Sequence, residues 1–242
     1  MRPVIGIVIC GFDRGRQFVS QPYIHAAEKA GGLPVIIPYL NSRIEISRYS
    51  SLCDGFLFCG GDDISPRLYG EDLLTDQGRT DMSVDQFHLS LMRYVLATSL
   101  PVLCICRGMQ VLNLSLGGSI FQDISLRNVP SSVHMQLSRS RSEPAHRVSF
   151  SSDSILYHIC GSYLDTNSYH HQCVKTTGRN LRITGMSADG IIEAVESTEH
   201  DFCVGVQWHP ECMYASSPPM RELFRLFVFH AGQSGSVSAR LH

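Results

Sequence analysis

The chain has 242 residues, of which 43% are hydrophobic and 17% charged, and its formal net charge is −2. These values are typical of one large α/β domain, or at most two small ones. The sequence pI is about 6.6, and the absence of any lysine or arginine cluster argues against a nucleic-acid partner. No apolar run approaches the roughly 20 residues that a membrane span requires.

The cysteines indicate a reducing environment. The chain has nine, an odd number that cannot pair completely. They are scattered, and several of them, such as Cys10, Cys59 and Cys203, lie inside apolar segments without the spacing of a disulfide framework. Residues 1–10 have the length of a strand rather than of a signal peptide. These features predict a soluble, cytoplasmic protein.

The first half of the chain alternates strand and helix patterns. Short apolar strands are predicted at residues 4–10, 35–37, 55–59 and 102–105, and helices at 21–30, 83–98 and after 106. Asn41-Ser42 offers the N-cap of a further helix, in which Ile44, Ile46 and Leu52 are periodic. The alternation predicts an α/β fold, with a doubly wound, mostly parallel sheet and helices on both faces. Functional loops are expected at the carboxyl edge of that sheet.

The second half has a different character. Residues 119–123 look extended, and 128–145 form a polar stretch, predicted to be a mobile loop in which Arg139 and Arg141 are solvated. Strands are predicted in hairpin-like succession at residues 147–150, 181–186, 191–195 and 202–207, followed by a helix at 223–230. The interpretation is a single domain over residues 1–232 with a small β-rich extension, and a disordered tail over 233–242.

One stretch combines strand, turn and helix around a cysteine. The apolar strand Val102–Ile105 runs directly into Cys106, and Arg107 starts a helical pattern. This order is the context of a nucleophile elbow, in which the turn lifts the side chain above the sheet. The N-terminal end of the helix would direct N–H groups at a ligand and favour the thiolate. The alternative is a buried apolar filler, the commoner role of a free cysteine.

A second stretch supplies the partners that such a thiol needs. His209-Pro210-Glu211 follows the strand predicted at 202–207, so both side chains can project from one strand end. Cysteine, histidine and carboxylate together form the machinery of covalent acyl transfer. By itself, the His-Pro-Glu segment also fits a turn with a surface carboxylate.

The two motifs together resemble the class I glutamine amidotransferase superfamily. More narrowly, the chain resembles its γ-glutamyl hydrolase branch, the γ-glutamyl-γ-aminobutyrate hydrolases. Further stretches similar to that branch are residues 60–66, 69–71, 112–118, 122–124 and 168–172. The resemblance implies a flavodoxin-like core.

The resemblance also implies catalytic roles. Cys106 would be the nucleophile, His209 the general base and acid, and Glu211 the carboxylate that orients the imidazole. The backbone N–H groups of Gly61 and Arg107 would form the oxyanion hole.

The same resemblance implies a substrate site and no cofactor. The residues expected to contact the γ-glutamyl group are Gln110, His170, His171 and Gln172. No metal is required, although composition leaves open a metal site made of His170, His171 and His209. A polar turn is the simpler interpretation of the paired histidines.

The chain departs from the superfamily pattern in two places. Cys104 stands where the elbow usually has glycine, so its Cβ is expected to shift the turn slightly. Cys104 and Cys106 could form a redox pair, or Cys104 could be an inert buried thiol. In the preceding helix, Val84-Asp85 and His88 replace an Arg-Asp pair and a glutamate of the relatives, which bears on substrate preference.

The predicted function is hydrolysis of γ-glutamyl amide bonds through a thioester, with release of glutamate. One alternative is a glutaminase subunit that supplies ammonia to a separate synthetase. Another is a γ-glutamyl-binding or sensing protein without catalysis. The relatives are compatible with a homodimer, whereas nucleic acid and membrane are not expected as partners. The sequence does not identify the leaving amine.

Overall fold

The computed structural model describes residues 1–40, 46–76 and 78–238. The strands are β1 (Val4–Val8), β2 (Gly11–Asp13), β3 (Arg16–Phe18), β4 (Leu33–Ile37), β5 (Gly55–Phe58), β6 (Val102–Ile105), β7 (Ser119–Phe121), β8 (His146–Phe150), β9 (Tyr163–Thr166), β10 (Cys173–Thr176), β11 (Leu181–Ser187), β12 (Ile192–Ser197) and β13 (Cys203–Val206). The helices are α1 (Gln21–Lys29), α2 (Ile46–Leu52), α3 (Met82–Leu96), α4 (Arg107–Ser115), α5 (Ile155–Cys160), α6 (Pro210–Met213) and α7 (Pro218–Ser238). The N-cap predicted at Asn41-Ser42, and Ile44 behind it, lie outside the described residues.

Nine of these strands form one sheet, in the order β4-β1-β5-β6-β13-β12-β11-β8-β9. Neighbours from β4 to β13 are parallel. Neighbours from β13 to β9 are antiparallel. The predicted α/β fold with a parallel core is therefore confirmed, and the β-rich region predicted as an extension continues the same sheet.

Helices cover both faces of the sheet, as predicted. The apolar cluster on one face includes residues of α1, α5 and α7. The cluster on the other face includes residues of α2, α3 and α4. Every residue of β5, β6 and β13 is buried, because parallel strands covered on both faces have no solvent-exposed side. This burial explains why these strands appear in the sequence as short continuous apolar runs.

Three parallel strands bring separate segments of the chain to one edge. β6 lies between β5 and β13 and pairs with both in parallel. The carboxyl ends of adjacent parallel strands meet at the same edge, where open α/β sheets bind ligands. Gly60, Cys106 and His209 follow these strand ends and therefore lie close together.

Some elements differ from the sequence predictions. α7 continues to Ser238, into the segment 233–242 that was predicted as a disordered tail, of which residues 239–242 lie outside the described residues. Glycine costs only about 1 kcal/mol within a helix, so Gly232 and Gly235 do not end one that is packed against the sheet. The hairpin β2–β3, the helix α5 and the strands β9 and β10 were not predicted. These segments, of three to six residues each, are too short to show a clear periodicity.

The stretch predicted as a mobile loop, residues 128–145, is tied to the chain around Ser168. Met135 forms an isolated antiparallel bridge with Tyr169. The Gln136 backbone N–H donates to the Ser168 carbonyl, and the Gln136 side-chain oxygen accepts from the Ser168 N–H. These bonds hold the loop over the carboxyl edge of the sheet.

Two global expectations can be compared with the described part of the chain. All nine cysteines are free thiols there. Within the same residues, no helix is long and apolar enough to cross a membrane.

Candidate active site

Cys106 occupies a strained turn between β6 and α4. Its φ of 54° and ψ of −110° are unusual for a residue with a side chain, and such a conformation costs of order 1–3 kcal/mol. The Cys106 N–H donates to the Val206 carbonyl at 2.7 Å, and its own carbonyl accepts from the Met109 N–H at 3.0 Å. A Cβ on Gly108 would collide with the Phe58 carbonyl, so glycine permits α4 to approach β5. The geometry is that of a nucleophile elbow.

Cys104 does not crowd this turn. It lies within β6, fully buried, opposite Gly205 in the register of β13. Its side chain belongs to the apolar cluster that contains Met109, whereas Cys106 belongs to the cluster on the opposite face. Burial raises the pKa of the Cys104 thiol well above its usual value. These features favour an inert thiol over a redox pair.

His209 and Glu211 form a buried ion pair beside Cys106. The Nδ1 atom of His209 lies 2.7 Å from Oε1 of Glu211 and 3.4 Å from the Tyr23 hydroxyl oxygen. Burial disfavours the imidazolium, but the charges of Glu211 and Cys106, and hydrogen bonds to both, outweigh it and raise the pKa of His209 to about 10. Glu211 is the closer partner of Nδ1, so Nδ1–H donates to Glu211. Nε2 then faces the Cys106 thiol.

Asn167 holds the backbone of His209 from both sides. Its Oδ1 accepts from the His209 N–H at 2.8 Å, and its Nδ2 donates to the His209 carbonyl at 3.0 Å. The same Nδ2 donates to the Arg141 carbonyl at 2.6 Å. Asn167 is fully buried, so these bonds fix the position of the histidine relative to the loop above it.

The first residue of α4 has a buried, fully engaged side chain. The Arg107 guanidinium donates to Asp85 Oδ1 and lies against His88 Nδ1, both at 2.5 Å. Burial and the Arg107 charge lower the pKa of His88 well below its usual value, so His88 accepts this bond as a neutral ring. Asp85 and His88 therefore act on the side chain of the residue beside Cys106. The Arg107 backbone N–H is one of the first in its helix, which have no intrahelical partner.

Cys106 borders two cavities. The smaller, of about 200 Å³, is lined by Gly61, Asp62, Asp63, Gly78, Arg79, Cys106, Arg107, Gln110, Met135, Tyr169, His170, His171 and Gln172. The larger, of about 540 Å³, is lined by Cys10, Phe18, Ser20, Pro22, Tyr23, Gly60, Gly61, Cys106, Met135, Arg141, Tyr169, His209, Glu211 and Cys212. The two share Gly61, Cys106, Met135 and Tyr169, so the sulfur lies where they meet.

The four residues predicted to contact substrate all line the smaller cavity. Gln110 Nε2 donates to the Gln172 carbonyl and to Gln207 Oε1. His171 lies between two carboxylates, 2.9 Å from Asp63 Oδ1 and 3.0 Å from Asp123 Oδ2. Both ring nitrogens of His170 also face protein atoms, Nδ1 the Gln172 carbonyl and Nε2 the His134 ring, and its side chain is buried.

The histidines do not group as the metal alternative supposes. His170, His171 and His209 are not brought together among the described residues. The side chains whose ligand atoms lie within reach of one ion are His134, His170 and Glu193 in one group, and His209, Glu211 and Cys212 in another. His134 and Glu193 were not singled out from the sequence.

Other residues at this edge were also missed. Tyr23 looks in the sequence like a core residue of α1, yet its hydroxyl accepts from the Gly60 N–H at 2.9 Å. Arg141 was assigned to a solvated loop, but its guanidinium stacks 3.9 Å from the centre of the Tyr169 ring and lines the larger cavity. Asn167 directly precedes the 168–172 motif, which was the signal that could have identified it.

A strained cysteine turn at the ends of parallel strands, with a buried histidine–carboxylate pair beside it, defines a class I glutamine amidotransferase-like protein. The family model described as Peptidase C26 matches residues 3–211. The chain belongs to this family, which makes it a glutamine amidotransferase-like hydrolase.

The chain is also similar to individual proteins. Protein NtpR of Enterococcus hirae is 35% identical over 94% of this chain and 99% of its own length. The γ-glutamyl-γ-aminobutyrate hydrolase PuuD of Escherichia coli is 30% identical over 93% of this chain and 92% of its own length. The crystal structure of a protein from Thermoplasma acidophilum, described as one subunit of a GMP synthase, superposes with a TM-score of 0.66 over 99% of both chains at 15% identity. At that identity the structure supports the fold alone.

Proposed function

We propose that the protein hydrolyses γ-glutamyl amide bonds through a thioester on Cys106, with Cys106, His209 and Glu211 as catalytic triad. The observation that carries the proposal is the position of Cys106 at the junction of two cavities that differ in size and charge. An amide hydrolase needs one site for the acyl group and another for the amine, with the nucleophile between them.

In this mechanism the Cys106 thiolate attacks the γ-carbonyl carbon. The oxyanion accepts hydrogen bonds from the backbone N–H groups of Gly61 and Arg107, each typically worth about 3 kcal/mol in the transition state. Collapse of the tetrahedral intermediate breaks the C–N bond and leaves a γ-glutamyl thioester. Water then attacks the thioester, and glutamate leaves with regeneration of the thiolate.

His209 moves the protons in both steps. Its pKa of about 10 supports an imidazolium at neutral pH, which can donate a proton to the departing amine. The neutral imidazole that results can accept a proton from the attacking water. Glu211 holds Nδ1 throughout, so Nε2 carries the transferred proton.

The smaller cavity suits the γ-glutamyl group. This group carries an α-ammonium and an α-carboxylate, and the cavity offers Asp62 and Asp63 for the first and Arg79 for the second. Gly78, with a φ of 78°, lies so close to Asp63 that any Cβ there would collide with the carboxylate. The segment carrying Arg79 can therefore approach Asp63.

The larger cavity suits a leaving amine that is bigger than ammonia. Its volume of about 540 Å³ exceeds that of the acyl cavity, which supports amine hydrolysis over the glutaminase alternative. Glu211 is engaged by His209, and Arg141 at the mouth of the cavity supplies a positive charge. We therefore propose a leaving amine that carries a carboxylate, in agreement with the name of the Escherichia coli relative.

The test uses the purified chain alone with glutamine and a panel of γ-glutamyl amines and peptides. Free glutamate is quantified beside a Cys106→Ala control. Release from γ-glutamyl amines that carry a carboxylate, well above release from glutamine and absent in the control, would support the proposal. Full release by Cys106→Ala would contradict the nucleophile. Release from glutamine alone would favour a glutaminase, and no release at all would favour the binding protein.

A further inference from the structure

Three histidines converge on one buried carboxylate, outside the proposed triad. We name His134, His146, His170 and Glu193 the histidine cluster. Oε1 of Glu193 lies 3.3 Å from Nδ1 of His134, 3.2 Å from Nε2 of His146 and 3.5 Å from Nε2 of His170. Glu193 is completely buried within strand β12. A buried carboxylate is costly unless it is paired or coordinates a metal.

Two members of the cluster have polar atoms without a hydrogen bond. Both carboxylate oxygens of Glu193 and both ring nitrogens of His146 are buried without a hydrogen-bond partner among the described residues, although the nitrogens and oxygens lie close together. Such orphaned polar groups require an explanation, and an unseen ion is one.

Proton counting shows that the cluster needs an extra positive charge. His134 Nε2 lies 3.0 Å from Asp189 Oδ2, and His170 Nδ1 lies 3.0 Å from the Gln172 carbonyl oxygen, so both nitrogens must carry a proton. In neutral rings, this leaves a lone pair on His134 Nδ1 and another on His170 Nε2. These two atoms are 3.2 Å apart, and the Glu193 carboxylate faces both. Only a shared proton or a metal cation can make that arrangement favourable.

The distances match a tetrahedral metal site. In a zinc site with bonds of about 2.0–2.1 Å, ligand atoms are separated by roughly 3.3–3.4 Å. The three separations among His134 Nδ1, His170 Nε2 and Glu193 Oε1 are 3.2, 3.3 and 3.5 Å. His146 Nε2 lies 3.2 Å from the same carboxylate oxygen, but it is not among the side chains whose ligand atoms lie within reach of one ion. The protein therefore supplies three ligands, and a water molecule would complete the tetrahedron.

The outer contacts are those of a metal site as well. Ligating histidines typically donate their other ring N–H to a carboxylate or a backbone carbonyl, which fixes the tautomer. His134 does so to Asp189 and His170 to Gln172. Asp189 is itself held by the Ser132 N–H at 2.7 Å. Imidazole nitrogens with one carboxylate oxygen suit Zn²⁺ and its neighbours rather than Mg²⁺ or Ca²⁺.

We propose that the histidine cluster binds one divalent transition-metal ion of the zinc type, as a structural site. The ion would join the loop carrying His134 to β12 and the segment carrying His170. The residues that follow His134 and precede His170, Met135 and Tyr169, form a bridge and line both cavities. Metal binding would thereby fix the wall between the acyl and amine sites. The proposal stands independently of the reaction at Cys106.

The test measures metal content and metal-dependent stability of the whole chain. After chelation and dialysis, the protein is titrated with Zn²⁺, and with Co²⁺ as a spectroscopic probe. We expect one equivalent of tightly bound metal, a higher melting temperature, and visible cobalt bands without the thiolate-to-cobalt charge-transfer band. Glu193→Gln and His134→Gln are expected to weaken the affinity at least ~100-fold.

Two control variants locate the site. His158→Gln removes an exposed histidine, and Cys212→Ser removes a residue of the second group of potential ligands. Both are expected to bind metal like the unmodified chain. If Glu193→Gln does not fold, the cobalt spectrum of the unmodified chain still decides between imidazole and thiolate ligation. Failure of the folded chain to take up either ion, or loss of binding in Cys212→Ser alone, would overturn the proposal.

Discussion

The molecule contains two buried histidine–carboxylate groups built from the same residue types for different ends. At the carboxyl edge of the parallel strands, His209 has one carboxylate partner at 2.7 Å and faces a cavity that contains Cys106. On the antiparallel half, three histidines share the single carboxylate of Glu193. The first group leaves one ring nitrogen for a reactant, whereas the second directs its nitrogens towards each other.

The two groups differ in the number of histidines that share one carboxylate, and this number determines which chemistry each group suits. A histidine with one carboxylate holds a proton that it can give away, because its remaining nitrogen faces the reacting groups. Histidines that share one carboxylate and also face each other need a further positive charge, either an added proton or a cation. The first arrangement suits proton transfer, and the second suits a bound cation.

Replacing each carboxylate by an amide is expected to give the largest difference between the two groups. Glu211→Gln is expected to lower kcat for glutamate release by about 10⁴-fold, because an amide neither fixes the histidine tautomer nor stabilises the imidazolium. Glu193→Gln should instead lower the melting temperature, with kcat within about tenfold, since a buried charge cluster loses about 3–5 kcal/mol when one partner is removed. Equal losses of kcat in the two variants would contradict the assigned roles.

The link between the groups is Asn167, close in sequence to His170 and bonded to the backbone of His209. Asn167→Ala leaves the buried His209 N–H unsatisfied, at about 1–3 kcal/mol, whereas the His209 carbonyl still accepts from the Cys212 N–H. Urea unfolding should register this loss of stability, and Asn128→Ala, at an exposed position, is the matched control. If the free energy of unfolding is unchanged in Asn167→Ala, the hydrogen bonds between Asn167 and the His209 backbone contribute nothing to stability.

The proton on His209 can be followed by pH. Because Glu211 and Cys106 raise the pKa of His209 to about 10, the imidazolium persists through neutral pH and is lost as the pH rises through about 10. The alkaline limb of the pH profile of kcat/KM should therefore fall over the same pH range. Glu211→Gln removes the carboxylate charge and is expected to move that limb down by at least about one pH unit. A limb at the same pH in both proteins would contradict this account.

The leaving-amine site supplies the smallest effect. Arg141→Met is expected to raise KM about fivefold for γ-glutamyl amines that carry a carboxylate, since an exposed charge pair contributes about 1 kcal/mol or less. Neutral amines should be unaffected. Arg139→Met, two residues away and also exposed, provides the comparison. An equal change for neutral and acidic amines would show that Arg141 does not recognise the carboxylate.

The sequence predicted the parallel core and the elbow because both are local. Short apolar runs mark the buried strands, and Cys106 directly follows one of them. Arg141 and Tyr23 were missed because their roles depend on which loop and helix lie over the sheet edge. His134 and Glu193 meet only through the antiparallel half of the fold. One local signal was available: a glutamate inside the apolar run at residues 191–195 requires a buried partner.

The central claim is that Cys106 forms a covalent γ-glutamyl thioester while His209 and Glu211 manage the proton. Rapid acid quenching during turnover of a γ-glutamyl amide, followed by intact-mass measurement and peptide mapping, tests it most directly. The account predicts a mass increase of one γ-glutamyl group on the peptide that contains Cys106, and none in Cys106→Ala. Glutamate release without any adduct on Cys106, or an adduct on another cysteine, would contradict it.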